Sequence, residues 1–326
     1  MTAESQAAAR PSTAKIAVNF ALVYVIWGST YLGIRISDET IRPLALGTVR
    51  FVIAGVMLLA WCWLVKKRVS VSAGDALRLA VIGILLLSGG NTTLAWAELS
   101  VPSGLAALIV AITPLWVMIL DWLFYRERLS ALGLAGIALG IAGIVVLLWP
   151  QLATGSNVGR RELFGAISLL FGSASWALGS VLSRHWKMSV DPLVASGYEM
   201  TASGLFNLIL ALVFGSFASS TWTARSVGAV AYLIVFGSWI GFSAFIWLLG
   251  HVPTSKVATY AYVNPVIAVF LGWIVLGESV DRFVMAGTVV IVAAVALVNS
   301  AKVRDLRRSR GTAAEPDLPA CEQGAD

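Results

Sequence analysis

Apolar residues fill this chain in long blocks, and the polar stretches between them are short and crowded with Lys, Arg, Gly and Pro. The blocks cover residues 16–35, 43–65, 76–97, 103–124, 131–149, 163–183, 192–214, 226–249, 254–276 and 281–299. Each is close to the ~20 residues with which an α-helix crosses the hydrocarbon core of a bilayer. Lipid offers no water to backbone amides, so a spanning segment must be a helix or part of a closed barrel, and runs of this length select helices. The pattern predicts an all-α integral membrane protein with ten transmembrane helices. The first 15 residues are polar and small, without the charged region, apolar stretch and cleavage site of a secretory signal, so the first span is expected to be retained.

Composition agrees: 58% of residues are hydrophobic, 12% are charged and the mean hydropathy is +0.85, values foreign to a soluble domain. The net charge of +6 follows from topology rather than from a nucleic-acid partner. With the N-terminus inside, the inner segments hold 16 of the 23 Lys and Arg residues, including Lys66, Lys67, Arg68, Arg126, Arg128 and the run from Lys302 to Arg310. The outer loops hold six, Arg35, Arg42, Arg160, Arg161, Arg225 and Arg282, and Arg50 lies inside a span. Loops rich in these residues stay cytoplasmic, so both termini are expected in the cytoplasm of a bacterial-type cell, with the protein multi-pass in its inner membrane. Cys62 falls in a span and Cys321 in the C-terminal tail, which leaves no disulfide framework.

Sliding the chain along itself exposes a repeat. Trp96, Pro102, Ala107, Pro114, Trp122, Glu127 and Gly136 fall on Trp247, Pro253, Ala258, Pro265, Trp273, Glu278 and Gly287 at a constant offset of 151. Upstream the offset is 149, with Trp27 on Trp176, Arg35 on Arg184, Pro43 on Pro192 and Gly55 on Gly204. The expected organisation is an N-terminal tail (1–15), a five-helix repeat (16–149), a connecting loop (150–162), a second five-helix repeat (163–299) and a basic, disordered tail (300–326). Five is odd, so the second repeat must enter the membrane in the opposite sense. Two inverted five-helix repeats are a construction of secondary transporters, where one fold used in both directions can open alternately to each side.

The residues Trp27-Gly28-Ser29-Thr30, Arg50 in span two, Pro114-Leu115-Trp116 leading into Glu127-Arg128-Leu129, and the echo Asn264-Pro265 leading into Gly277-Glu278 resemble the EamA family of the drug/metabolite transporter superfamily. The similarity covers nearly all of residues 16–299. It implies a ten-span exporter of amino acids and other metabolites with a substrate cavity between the halves.

Charge inside lipid costs about 2–3 kcal/mol or more at mid-span, so intramembrane ionisable residues are functional candidates. Arg50 and Glu199 lie about seven residues into spans two and seven, roughly 10 Å deep at 1.5 Å per residue. They are equivalent in the repeat at the offset of 149. Facing a common cavity, Arg50 would hold a substrate carboxylate, and Glu199 would engage an amine, a proton or Arg50 itself; the alternative is a static ion pair locking two helices. Asp121 has Gly272 as its counterpart and reads as an interfacial carboxylate near Arg126 or Arg128. Glu127 and Glu278 read as caps of the helices that follow them. Pro114 and Pro265 interrupt spans four and nine, with Thr113 and Asn264 presenting polar groups at the same depth, and such paired interruptions point to a transport site. Trp27, Ser29, Thr30, Asn91, Trp96, Trp176, Tyr198, Trp239, Trp247 and Tyr260 complete the candidate cavity, the aromatic residues as a wall for an apolar or cationic solute.

Other classes fit less well. A pump would need a phosphate-cradling G-x-x-x-x-G-K-[ST] loop, which the sequence lacks. A membrane enzyme would need clustered nucleophiles or ligands, and His185 and His251 stand in unrelated contexts. A flippase for a lipid-linked solute or a passive channel remains open as an alternative. The expected partners are a small-molecule substrate and the bilayer, with protons as a candidate coupling ion, no cofactor and no metal; the oligomeric state is open.

Overall fold

The computed structural model describes residues 12–126, 131–154, 157–252, 257 and 259–312. Among these, ten helical segments follow the ten apolar runs. They are α1 (Thr13–Asp38), α2 (Pro43–Leu64), α3 (Ala73–Glu98), α4 (Ser103–Tyr125), α5 (Ala131–Thr154), α6 (Asn157–His185), α7 (Pro192–Val213), α8 (Ala224–His251), α9 (Tyr260–Leu276) and α10 (Arg282–Thr312). Among the described residues, eight stretches are long and apolar enough to cross a membrane, and Val263–Leu276 is a shorter apolar one. In α7 the apolar run is diluted by Glu199, Asn207 and small polar residues on its buried face.

The repeat is visible in how the helices begin and end. Pro43 and Pro192 both occupy the first helical position, where the missing amide costs nothing. After α2, Lys66 (φ 60°) closes the helix in the left-handed region, with Lys67 N donating back to Cys62 O; after α7, Gly215 (φ 61°) does the same, with Ser216 N donating to Ala211 O. Arg126 (φ 52°) and Gly277 (φ 66°) form a second such pair after α4 and α9. The first half thus places a Lys and an Arg where the second uses the residue that bears this conformation without strain. The loops 65–72 and 214–223 differ by two residues, which locates the change of offset: the second half carries the surplus.

Packing follows a two-fold pattern. The equivalent helices α2 and α7 run along one another, as do α5 and α10; α1 packs on α8 and α9 as α6 packs on α3 and α4. Small residues permit the close approach. A side chain at Gly55 would collide with the Thr201 amide, and one at Gly204 with Val52. The α2–α7 crossing therefore depends, at two equivalent points, on residues without a β-carbon.

Two features were not anticipated. The middles of α3 and α8 are π-helical, over Ile84–Thr92 and Leu233–Ile240, and such widened turns concentrate at functional sites. In addition, α4 breaks after Val110 and resumes at Thr113 with Pro114 in its first turn, whereas Pro265 lies inside continuous α9.

Candidate solute site and its surroundings

Arg50 leaves α2 toward the two π-helical stretches. Its side chain is 7% exposed, with Nε donating to Ser238 Oγ of α8 at 3.1 Å and Nη1 to Asn91 Oδ1 of α3 at 3.4 Å. It borders a small pocket, with room for about one water, lined by Ile34, Pro43, Leu46, Gly47, Arg50, Phe51, Asn91, Thr92 and Ala95. One turn before Arg50, Gly47 lets a polar pair close in, Asn207 Nδ2 donating to Thr92 Oγ1 at 3.0 Å; a β-carbon at Gly47 would stand 2.7 Å from both.

The widened turn of α8 separates Arg50 from an aromatic group. Gly237 lies against Arg50 Nη2 and the Thr30 methyl, and its carbonyl accepts from Trp27 Nε1 at 3.2 Å. Beyond that bond the Trp27 ring packs on Phe245 (4.9 Å), Tyr260 (5.2 Å, edge-on) and Phe242 (6.3 Å). With its amide turned to donate, buried Asn264 reaches the carbonyls of Tyr260 and Tyr24 at 3.2 Å. Tyr24 in turn bonds Thr259 at 2.5 Å. Trp27, Thr30, Tyr260, Asn264 and Pro265 are thereby gathered where α1, α8 and α9 meet. Ser29 turns to Tyr232 on α8, at 2.5 Å.

Other candidates lie elsewhere. Glu199 is buried in α7 at 8% exposure, its backbone against Gly83 of α3, and it forms no ion pair with Arg50 among the described residues. Trp176 packs into the central core beside Gly90, and Thr113 bonds back to Val110 O at the break before Pro114. Trp96 is 43% exposed and meets Phe164, Trp239 meets Trp61 on the outer side of α2, and Trp247 stacks on His251 beneath Lys15. Tyr198 donates to Val69 O of the loop after α2. These four anchor surfaces and helix ends rather than line the cavity at Arg50. The sequence reading placed them by depth, and depth does not say which way a helical residue faces.

The sequence matches the model of the EamA-like transporter family over residues 15–149 and again over 163–300. The chain belongs to this family. It is 39% identical over 284 residues to the uncharacterized inner membrane transporter YedA of Escherichia coli K12, covering 87% of this chain and 90% of that one. To the uncharacterized transporter YvbV of Bacillus subtilis 168 it is 27% identical over 288 residues, 88% and 92% of the two chains. A solved crystal structure at 21% identity superimposes with a TM-score of 0.63 over 90% of this chain and 99% of its own, a likeness of fold. The protein is accordingly a multi-pass inner membrane transporter.

In this EamA-like transporter the carboxylates carry the corrections. Asp121 is 2% exposed and takes Arg184 Nη2 of α6 at 2.5 Å, a partner 63 positions away; Arg128, one of its two expected neighbours, lies outside the described residues. Glu278 does not cap the helix after it. Asp281 caps α10, accepting from Phe283 and Val284 amides at 2.8 Å. Glu278 instead reaches across the halves to α4, accepting from Ser103 N and Oγ at 2.8 Å and from Gly104 N at 3.0 Å. Glu127 lies outside the described residues. Asp38 and Glu98, which end α1 and α3 just past the apolar runs, are 9% and 0% exposed.

Proposed function

We propose that this transporter is a secondary active exporter of small organic metabolites, amino acids or related amphipathic compounds, moved by alternating access of the two inverted repeats with both termini in the cytoplasm. The observation that carries the reading is Arg50: a buried guanidinium beside a small pocket, hydrogen-bonded to a serine hydroxyl and an amide and, among the described residues, to no carboxylate. A buried cation without a counter-charge is costly unless something anionic joins it, and a planar fork suits a carboxylate. In this conformation the pocket has room for about one water, so a solute reaches that fork as the two halves part. The aromatic group around Trp27 then offers an apolar surface on the far side of Gly237.

The decisive experiment is uptake by proteoliposomes of a labelled panel of amino acids and small amphipathic amines, with and without an imposed pH gradient, beside Arg50→Ala. Saturable uptake with counterflow in the wild type, and an apparent affinity for carboxylate-bearing members weakened about 10- to 100-fold in the variant, is expected from a charge-assisted bond of about 1.5–3 kcal/mol. Equal handling by both proteins removes Arg50 from the site. No uptake of any member favours a lipid-linked solute.

A further inference from the structure

At the end of the bundle where α1 and α3 finish, Asp38 and Glu98 form a second charged site that the Arg50 cavity does not use. Glu98 is fully buried and Asp38 is 9% exposed, and all four carboxylate oxygens lack a hydrogen-bond partner. The two lie within electrostatic reach of one another, with Tyr31 and Arg35 of α1 and with Glu278 beyond α9. Arg35 forms no ion pair with either among the described residues, and Glu278 is committed to the amides of Ser103 and Gly104. The loop 214–223 closes this end: Thr221 N donates to Thr40 O at 2.8 Å, Arg42 N to Ser220 Oγ at 2.9 Å, and Arg225 pairs with exposed Glu39 at 3.0 Å.

Asp38 and Glu98 are thus buried with nothing to accept from, and the charged groups within electrostatic reach, Arg35 and Glu278, are only partly buried. Charge of that kind is not held in a dry interior without compensation. We propose that Asp38 and Glu98 together form a proton-binding site, a carboxyl pair that holds a proton while this end is closed and exchanges it when the end opens. A proton is favoured over a metal cation because no group of three or more His, Cys, Asp or Glu side chains assembles here among the described residues, whereas protonation removes a buried carboxylate charge outright. As a coupling site for solute movement the pair rests on the transporter reading; as a proton site it stands without it.

The test is infrared pH-difference spectroscopy of the full-length protein in proteoliposomes, wild type against the double variant Asp38→Asn/Glu98→Gln. Each amide keeps the shape of the neutral acid, and thermal unfolding in detergent checks that the variant folds. The expected result is a protonated-carboxyl carbonyl band in the wild type that disappears as the pH is raised and that the double variant lacks. In the same vesicles, counterflow of any transported panel member should survive in the variant while accumulation driven by a pH gradient is lost. A band of equal intensity in both proteins overturns the proposal, as does a band removed at constant pH by sodium ions, which would mark a sodium site. Absence of counterflow in the wild type with the band intact would count against the panel or the carrier reading and still support the proton site.

Discussion

At the scale of single residues, Arg50 was legible and its setting was not. A lone Arg in an apolar block stands out because lipid penalises charge. Its partners Asn91 and Ser238 sit 41 and 188 positions away, a distance that no local pattern bridges. The fork geometry leads to a further expectation: Arg50→Lys keeps the charge but loses bidentate contact, so affinity for carboxylate solutes should fall about tenfold while maximal rate is largely kept, as kinetic uptake will show. Glu199, buried in α7, is expected to matter through its proton. Glu199→Gln should flatten the pH profile of transport, and an unchanged profile would remove it from coupling. Asp38 and Glu98 escaped notice because each lies just past an apolar run, where a charge reads as solvated, and their burial is a tertiary property that no local pattern carries.

At the scale of elements, span number and the pairing of repeats could be read from apolar run length and from the matched Trp, Pro, Glu and Gly positions. The π-helical middles of α3 and α8 could not, since their composition is that of any apolar helix. The Glu278 cap shows how a repeated residue can be recognised and its partner mistaken. It fits only because Gly272 leaves room, a β-carbon there standing 2.9 Å from the Glu278 carboxyl carbon and 3.0 Å from Ser103 Oγ. Gly272→Ala should therefore uncap α4 at a cost of about 1–2 kcal/mol, seen as a lower melting temperature in detergent. Glu278→Ala in the Gly272→Ala background should add little, because both changes remove one interaction. Independent, additive losses would refute the cap.

At the scale of the whole molecule, α2 and α7 form the central crossing, tied at one end by Lys67 and Asp191. Burial pushes the Asp191 carboxyl up, but its bond to the Lys67 ammonium and the amides of Leu193 and Val194 outweigh burial and hold it below its ordinary value. Its contribution is therefore present above the ordinary carboxylate range near pH ~4 and is lost as the pH falls through the lower, folded-state value. Both partners are about a third exposed, 35% and 33%, so the pair contributes under ~1 kcal/mol. Melting temperatures of wild type and Asp191→Asn should differ slightly at pH 7 and converge in acid. A gap that does not narrow in acid would assign the effect to the helix cap instead.

The opposite end carries the two-residue surplus of the second half. A machine assembled from two equal halves has no preference between facing one way and facing the other, because each posture is the other with the halves exchanged. Any bias in its resting posture must come from places where the halves differ. The loop 214–223, two residues longer than its counterpart 65–72, holds the turn between α1 and α2 through Thr221 and Ser220, where 65–72 reaches the equivalent turn through the Lys67–Asp191 pair, and is such a place. Trimming it by two residues should bring the two postures nearer to equal population.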